Sequence, residues 1–257
     1  MKRKLGNNLP LLAGVAVFAL SILSYSMLKK GSVVILAISI SIFCIAVLRI
    51  AKVARKKILE YLNGPSRFCK GKGIEIGSCG THLVKGSLLV DIVDDFSSPK
   101  AYKVDYVADA HALPEINSAS LDYVCASHVL EHLTNPIKAI IEWVRILRSG
   151  GVLWLKIPDK KKTFDRARER TKLSHLIEDF ERSVPVDDPT HVEDNNNNTI
   201  PQRQQNHPYI HNHVWIPEDI VKLFEYLRKI NVPLAMSYCK ESSSKNAQDF
   251  WIVAKKI

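Results

Sequence analysis

Two uncharged apolar runs open the chain, and its character then changes. Residues 9–28, LPLLAGVAVFALSILSYSML, carry no charge; KKGS follows, and residues 33–48, VVILAISISIFCIAVL, are again uncharged. The first run is long enough to cross the apolar core of a bilayer, and the second reaches that length when Ser32 and a snorkelling Arg49 are added. Neither has a polar face, which favours lipid over a soluble core as the surroundings. The short connection predicts a two-helix membrane hairpin, with helices about 9–28 and 32–50; a shallow hairpin in one leaflet is the alternative. A cleavable signal peptide fits less well, because a second apolar run follows and no small-residue cleavage site closes the first. Residues 51–63, AKVARKKILEYLN, continue as a basic amphipathic helix that the pair Gly64-Pro65 breaks. The organisation expected is an anchor over 1–57, a linker over 58–70 and a folded domain over 71–257.

In that domain the apolar pattern alternates between periods of two and of 3.6. Strands are predicted at 73–77, 87–93, 104–108, 121–127, 151–157, 233–240 and 249–255. A helix is predicted over about 134–148, stopped by Ser149-Gly150-Gly151, and another begins at IPEDIVKLFEYLRKI with Pro217 in its first turn. Strands of apolar runs alternating with helices imply an α/β fold with a doubly wound parallel sheet. The alternation lapses between 159 and 214, a charged and Asn-rich stretch of the kind that usually serves function when it interrupts a compact domain.

Charge changes the picture only once it is located. The net charge is +10, but ten basic residues and no acid lie up to Lys57, which leaves 26 basic residues against 26 acidic ones beyond it. The folded body is neutral and lacks the basic face that nucleic acid requires. Cations flanking apolar helices instead place both ends of the hairpin, and the folded domain, in the cytosol. Five cysteines without C-x-x-C spacing read as free thiols in a reducing compartment.

The candidate chemistry lies at the strand ends. GIEIGSCGTHLVKG, residues 73–86, begins as a nucleotide-binding turn, yet Cys79 and Thr81 stand where further glycines would. Glu75 ends the first predicted strand, Asp91 lies in the second, Asp109 follows the third, and Ser127-His128 follow the fourth. Ligands of doubly wound sheets bind outside the carboxyl ends of the strands. A carboxylate there can accept both hydroxyls of a ribose, and an acid beside a backbone amide suits the edge of adenine. The pattern describes an adenosine site without a pyrophosphate cradle. A dinucleotide oxidoreductase would need G-x-G-x-x-G, which is absent.

The ordered series EIG, LLVDIV, ADAHALP, LDYVCASHVLEHL and AIIEWVRILRSGGVLWLKIP resembles the class I S-adenosylmethionine-dependent methyltransferases, in particular the type 11-like group. The resemblance covers about residues 71–158 and implies a Rossmann-like seven-stranded sheet whose last strand is antiparallel and inserted beside the fifth. It implies S-adenosyl-L-methionine as cofactor. Glu75 and Gly77 would sit under its methionine part and ribose, and Asp91 would hold the ribose hydroxyls. Asp109 and Ala110 would hold adenine, His111 would shape the pocket, and Ser127 and His128 would flank the methyl-donor end. An acceptor hydroxyl would need a base; His128, His211 and His213 are the candidates, in no fixed order. No metal is expected, since H-V-L-E-H around His128 and His132 lacks the H-E-x-x-H order and no acid or cysteine lies at matching spacing beside His207, His211 and His213. The expected partners are membrane lipids and an amphipathic or lipid-linked acceptor, a surface glycan, a lipid or a quinone. The competing reading is an inactive membrane-tethered scaffold with the same fold.

Overall fold

A computed structural model describes residues 33–78, 82–92, 104–186, 188, 191, 211–241 and 248–257, and places residues 19, 22 and 25 in helix. The chain divides into two compact units, Met1–Leu62 and Asn63–Ile257.

In the first unit, helix α1 runs unbroken over Val33–Asn63, about 46 Å at 1.5 Å per residue. The second apolar run and the basic stretch that continues it are therefore one helix. It ends where Gly64 turns extended and Pro65 opens a 3-10 turn, Pro65–Arg67. Within α1, Ala37–Arg55 is long and apolar enough to cross a membrane, and it is the one such helix among the described residues. Ile38, Ile42, Ile45 and Leu48 along it are exposed. The expected first span, 9–28, lies outside the described residues apart from positions 19, 22 and 25, and the hairpin is not established.

The second unit is built on seven strands: β1 (Gly73–Ile76), β2 (Leu88–Asp91), β3 (Tyr106–Val107), β4 (Leu121–Ser127), β5 (Leu147–Pro158), β6 (Leu234–Glu241) and β7 (Asp249–Lys256). Their order across the sheet is β3-β2-β1-β4-β5-β7-β6. The first five pair in parallel, while β7 runs antiparallel between β5 and β6. This is the seven-stranded arrangement with one reversed strand that the resemblance implied. The order reverses direction between β1 and β4, which makes their carboxyl ends the switch point.

Both faces of the central strands are buried, and the period of two sorts their side chains into two cores. Ile74 and Ile76 of β1, Val124 and Ala126 of β4, Leu153 and Leu155 of β5, and Ile252 and Ala254 of β7 enter one core with Trp143 and Ile140. Tyr123, Cys125, Trp154, Trp251 and Val253 enter the other with Cys69 and Val84. Helix α2 (Pro136–Ile146) covers the first face with Ile137, Ile140, Trp143 and Val144. It starts at Pro136 under an Asn135 cap whose side chain accepts from the Lys138 N–H. β5 begins at Leu147, earlier than expected, because the residue that caps α2 is already extended and pairs with Leu121. The Gly150 φ of +75° lets this irregular start rejoin the ladder at Val152.

The stretch 159–214 is more ordered than an irregular loop where it is described. Two 3-10 turns, Lys160–Lys162 and Phe164–Ala167, lead to helix α3 (Leu173–Glu181). The far end of the insertion is pinned back beside β5. Asp159 bridges Trp215, the Lys160 N–H donates to the Trp215 carbonyl, and the Thr171 N–H donates to Val214. Helix α4 (Pro217–Lys229) follows, its entry fixed by the Ile216 N–H donating to Asp219.

Candidate active site

Strand register brings the predicted positions into a row. Ile76 pairs with Val90 on one side and Ala126 on the other, so the residues that follow, Gly77, Asp91 and Ser127, lie side by side at the carboxyl ends of adjacent strands. Asp91 pairs in turn with Val107 of β3, and Asp109 lies two residues beyond.

Gly77 is required at its place for two reasons. Its φ is +65°, and a Cβ there would lie 2.4 Å from the Val129 Cγ2 methyl across the switch point. Glu75 ties β1 to the loop that follows it. Its carboxylate is 1 % exposed and accepts from the Leu83 and Val84 N–H groups, at 2.8 and 2.6 Å, and from the Ser87 hydroxyl. It points to the face opposite Ile74 and Ile76 and holds the loop 82–87 through these bonds. Cys79, Gly80 and Thr81, where the glycine pattern fails, lie outside the described residues, as do Asp94 and Asp95. His82 lies 3.4 Å from the Ser87 hydroxyl.

Asp91 is buried at the end of β2 and accepts from the Ile92 N–H. Asp109 is half-exposed, and its Oδ1 accepts from both the backbone N–H and Nδ1 of His111, at 3.0 and 2.7 Å. Burial pushes the Asp109 carboxyl up, but the His111 bonds outweigh it and hold it below the usual range. His111 is buried, and its Nε2 accepts from the Asn135 N–H, so its proton sits on Nδ1 facing Asp109. The Ala110 carbonyl accepts from the Trp143 indole. One oxygen of Asp109 is thus anchored while Oδ2 makes no hydrogen bond among the described residues, which suits an exocyclic amine of adenine. A buried acid on β2 and a half-open, ionised acid beyond β3, with no lysine or arginine bonded to either oxygen of Asp109 among the described residues, fit the adenosine part of S-adenosylmethionine.

His128 leaves β4 with a φ of +57° and donates its N–H to the Lys156 carbonyl. Its ring faces Asp249 of β7 at 3.6 Å and the fully buried Glu131 at 3.4 Å. Asp249 first, then Glu131, raise its pKa to about 9 against the opposing effect of burial. At neutral pH His128 is therefore an imidazolium. Glu131 also faces His132 at 3.9 Å, and the His132 ring meets the His211 ring edge-on.

His211 Nδ1 lies 2.7 Å from the carboxylate of Asp165. Burial raises the Asp165 pKa, but His211 and then Arg168 outweigh it and keep Asp165 ionised. Arg168 donates both to Asp165 and to the His211 carbonyl. This is an oriented carboxylate–imidazole pair, the arrangement that fixes a ring for proton transfer. His213 differs from the other two candidates: it is 0 % exposed and stacked on Trp215, and burial drives its pKa well below the ordinary value. An acceptor cannot reach it in this structure.

Two groups of ligating side chains converge that sequence spacing did not indicate: His175, Asp179, His191 and His213, and Glu131, His132 and His211. Asp165 and Asp249 were likewise missed, because each meets its histidine only through tertiary packing, while Glu131 reaches His128 from three residues away. For the first group the separation of four between His175 and Asp179 in LSHLIEDF was a local signal, since it places both on one face of α3. His207 lies outside the described residues.

Residues 78–155, from the turn after β1 into β5, match the family described as a methyltransferase domain. No curated protein matches the chain. Among solved structures, an S-adenosylmethionine-dependent methyltransferase of Thermotoga maritima is 16 % identical, covers 80 % of this chain and 97 % of its own, and superposes with a TM-score of 0.43. One from Methanosarcina mazei is 16 % identical, with 75 % and 96 % covered and a TM-score of 0.42. One from Mesorhizobium loti is 11 % identical, with 72 % and 90 % covered and a TM-score of 0.44. The functional reading rests on the family match over residues 78–155 and on the strand-end geometry: this part of the Rossmann-like sheet is similar to a methyltransferase domain, and the cofactor both support is S-adenosylmethionine.

Proposed function

We propose that the protein is a membrane-anchored methyltransferase that modifies an amphipathic or lipid-linked acceptor, with His211 as the base that accepts the acceptor's proton. The observation that carries the chemistry is the Asp165–His211 pair in the same domain as the row Gly77, Asp91, Ser127 and Asp109.

Asp91 holds the ribose hydroxyls and Asp109 the adenine amine, while Gly77 keeps the turn close enough for the ligand to reach the strand ends. When bound, S-adenosylmethionine supplies a methyl group on a sulfonium, already a good leaving group. The work left to the protein is to position the acceptor oxygen and remove its proton. Asp165 fixes the His211 ring through Nδ1, which leaves Nε2 as the atom that takes the proton. His128, held cationic by Asp249 and Glu131, serves as a fixed charge and hydrogen-bond donor rather than a base. Sequence reading left the three histidines in no order; burial and charge favour His211.

The acceptor class is inferred from the anchor. A domain tethered by α1, whose Ala37–Arg55 stretch suits a bilayer, meets lipids and lipid-linked molecules at high effective concentration. A soluble metabolite gains nothing from this. Incubating the protein with label on the donor methyl and with native membranes, then separating lipid, glycan and protein, tests the assignment; label in none of the three rejects it. His211→Asn and Asp165→Asn should lower kcat by about 10²–10⁴ while donor binding by calorimetry stays unchanged. Absence of donor binding by the unmodified protein would instead favour an inactive scaffold.

A further inference from the structure

The methyl-transfer reading does not use the cluster of His175, Asp179, His191 and His213, which comes from three separate pieces of chain. We propose that these four side chains form a structural site for one divalent transition-metal ion of the zinc class.

The donor set is three imidazoles and a carboxylate, nitrogen and oxygen ligands of the type zinc takes in closed four-coordinate sites. One ligand atom from each residue can be chosen so that all four lie within 4.8 Å of one another. Asp179 Oδ2 lies 3.3 Å from His175 Nε2 and 3.5 Å from His191 Nε2. Ligands at tetrahedral corners, with bonds of about 2.0–2.1 Å, are separated by about 3.3–3.4 Å, so these are the edges that one shared ion imposes. The three imidazole rings form a near-equilateral triangle, with centroids 5.5, 5.6 and 5.2 Å apart.

Burial supports an ion over a solvated charge cluster. Asp179, His191 and His213 are all buried, and among the described residues neither ring nitrogen of His213 nor Oδ2 of Asp179 makes a hydrogen bond of normal geometry. Each such group left unsatisfied in an interior costs about 1–3 kcal/mol. An ion at the centre satisfies Asp179 Oδ2 and one ring nitrogen of His213 together. His175, 37 % exposed at its side chain, is the open edge through which the ion enters. An outer set of contacts is also in place: Asp188 lies 3.7 Å from His191 Nδ1, and Trp215 stacks on the His213 ring.

The position gives the ion a purpose. It ties α3, His191 and the segment leading into α4 to one another. The Asp179 carbonyl accepts from the Asn135 side chain, whose backbone N–H donates to His111, and His111 holds Asp109. The site thereby braces the loop that carries the adenine acid.

The test uses the full-length protein in detergent, purified without chelator or affinity metal. Elemental analysis should find roughly one zinc-class ion per chain. Asp179→Asn and His191→Gln should each lower that content at least tenfold, whereas Glu178→Gln, on the exposed side of the same helix, should leave it unchanged. Chelator should lower the Tm of the unmodified protein, and zinc should restore it. If the ligand variants fail to fold, cobalt added to the chelated unmodified protein decides. The visible absorption of a tetrahedral cobalt site supports the proposal. Less than a tenth of an ion per chain, with no chelator-dependent Tm and no cobalt band, overturns it; so does a preference for magnesium or calcium. These readouts do not depend on methyl transfer, so failure of either proposal leaves the other standing.

Discussion

A single backbone angle and a single methyl group decide what can stand at position 77. Alanine there would meet both the positive φ and the Val129 side chain 2.4 Å away. Gly77→Ala should destabilise the domain by about 1–3 kcal/mol, read as a lowered urea midpoint. Val129→Ala in the same chain should recover only the part due to the clash. His128 carries a second residue-scale prediction. Its folded pKa is raised from an ordinary 6.5 to about 9, so the stabilisation from its charge is complete below pH 6.5 and is lost as pH rises through about 9. Denaturation midpoints should fall across that window, and Asp249→Asn should flatten the fall. A midpoint in the unmodified protein that does not move between pH 6.5 and 9.5 would remove the His128–Asp249 pair from the account.

Asn135 shows how one residue serves several elements. Its side-chain oxygen caps α2 at the Lys138 N–H, its amide nitrogen donates to the Asp179 carbonyl of α3, and its backbone N–H donates to His111. A lone cap is worth about 1 kcal/mol, so Asn135→Ala should cost more, about 2–3 kcal/mol, because a buried carbonyl also loses its donor. Thermal unfolding of Asn135→Ala checks this, and a loss no larger than that of an ordinary cap would show that the link to α3 is not energetic. Elements of this kind were legible in the sequence where they rest on local pattern. The period of two in LDYVCAS and the apolar spacing of PIKAIIEWVRI both act over a few residues and lead to β4 and α2. The early start of β5 at Leu147 was not legible, because pairing with Leu121 is a long-range event that overrides the local glycine signal.

For the whole molecule, the division at Leu62 and Asn63 predicts separable parts. A chain beginning at Asn63 should remain in the supernatant and bind S-adenosylmethionine as the full-length protein does. Its turnover of a membrane-resident acceptor should fall by about a hundredfold, while turnover of the same acceptor in detergent is unchanged. Sedimentation with vesicles and paired rate measurements check both statements, and equal rates in the two settings would refute a role for the anchor in acceptor capture.

Sequence alone determined the kinds of element, the row of acids at strand ends and the apolar stretch of α1. These depend on spacing along the chain, and spacing is what periodic burial and helix length act upon. Tertiary structure decided the rest: Glu75 turned to its own loop, His213 sealed beside Trp215, His211 set against Asp165, and three histidines and an aspartate from distant segments gathered at one point. Each of these turns on which side chains meet across the fold. Where those residues stand tens of positions apart, as His211 and Asp165 do, the meeting is set by packing and exclusion of water, which no local pattern encodes.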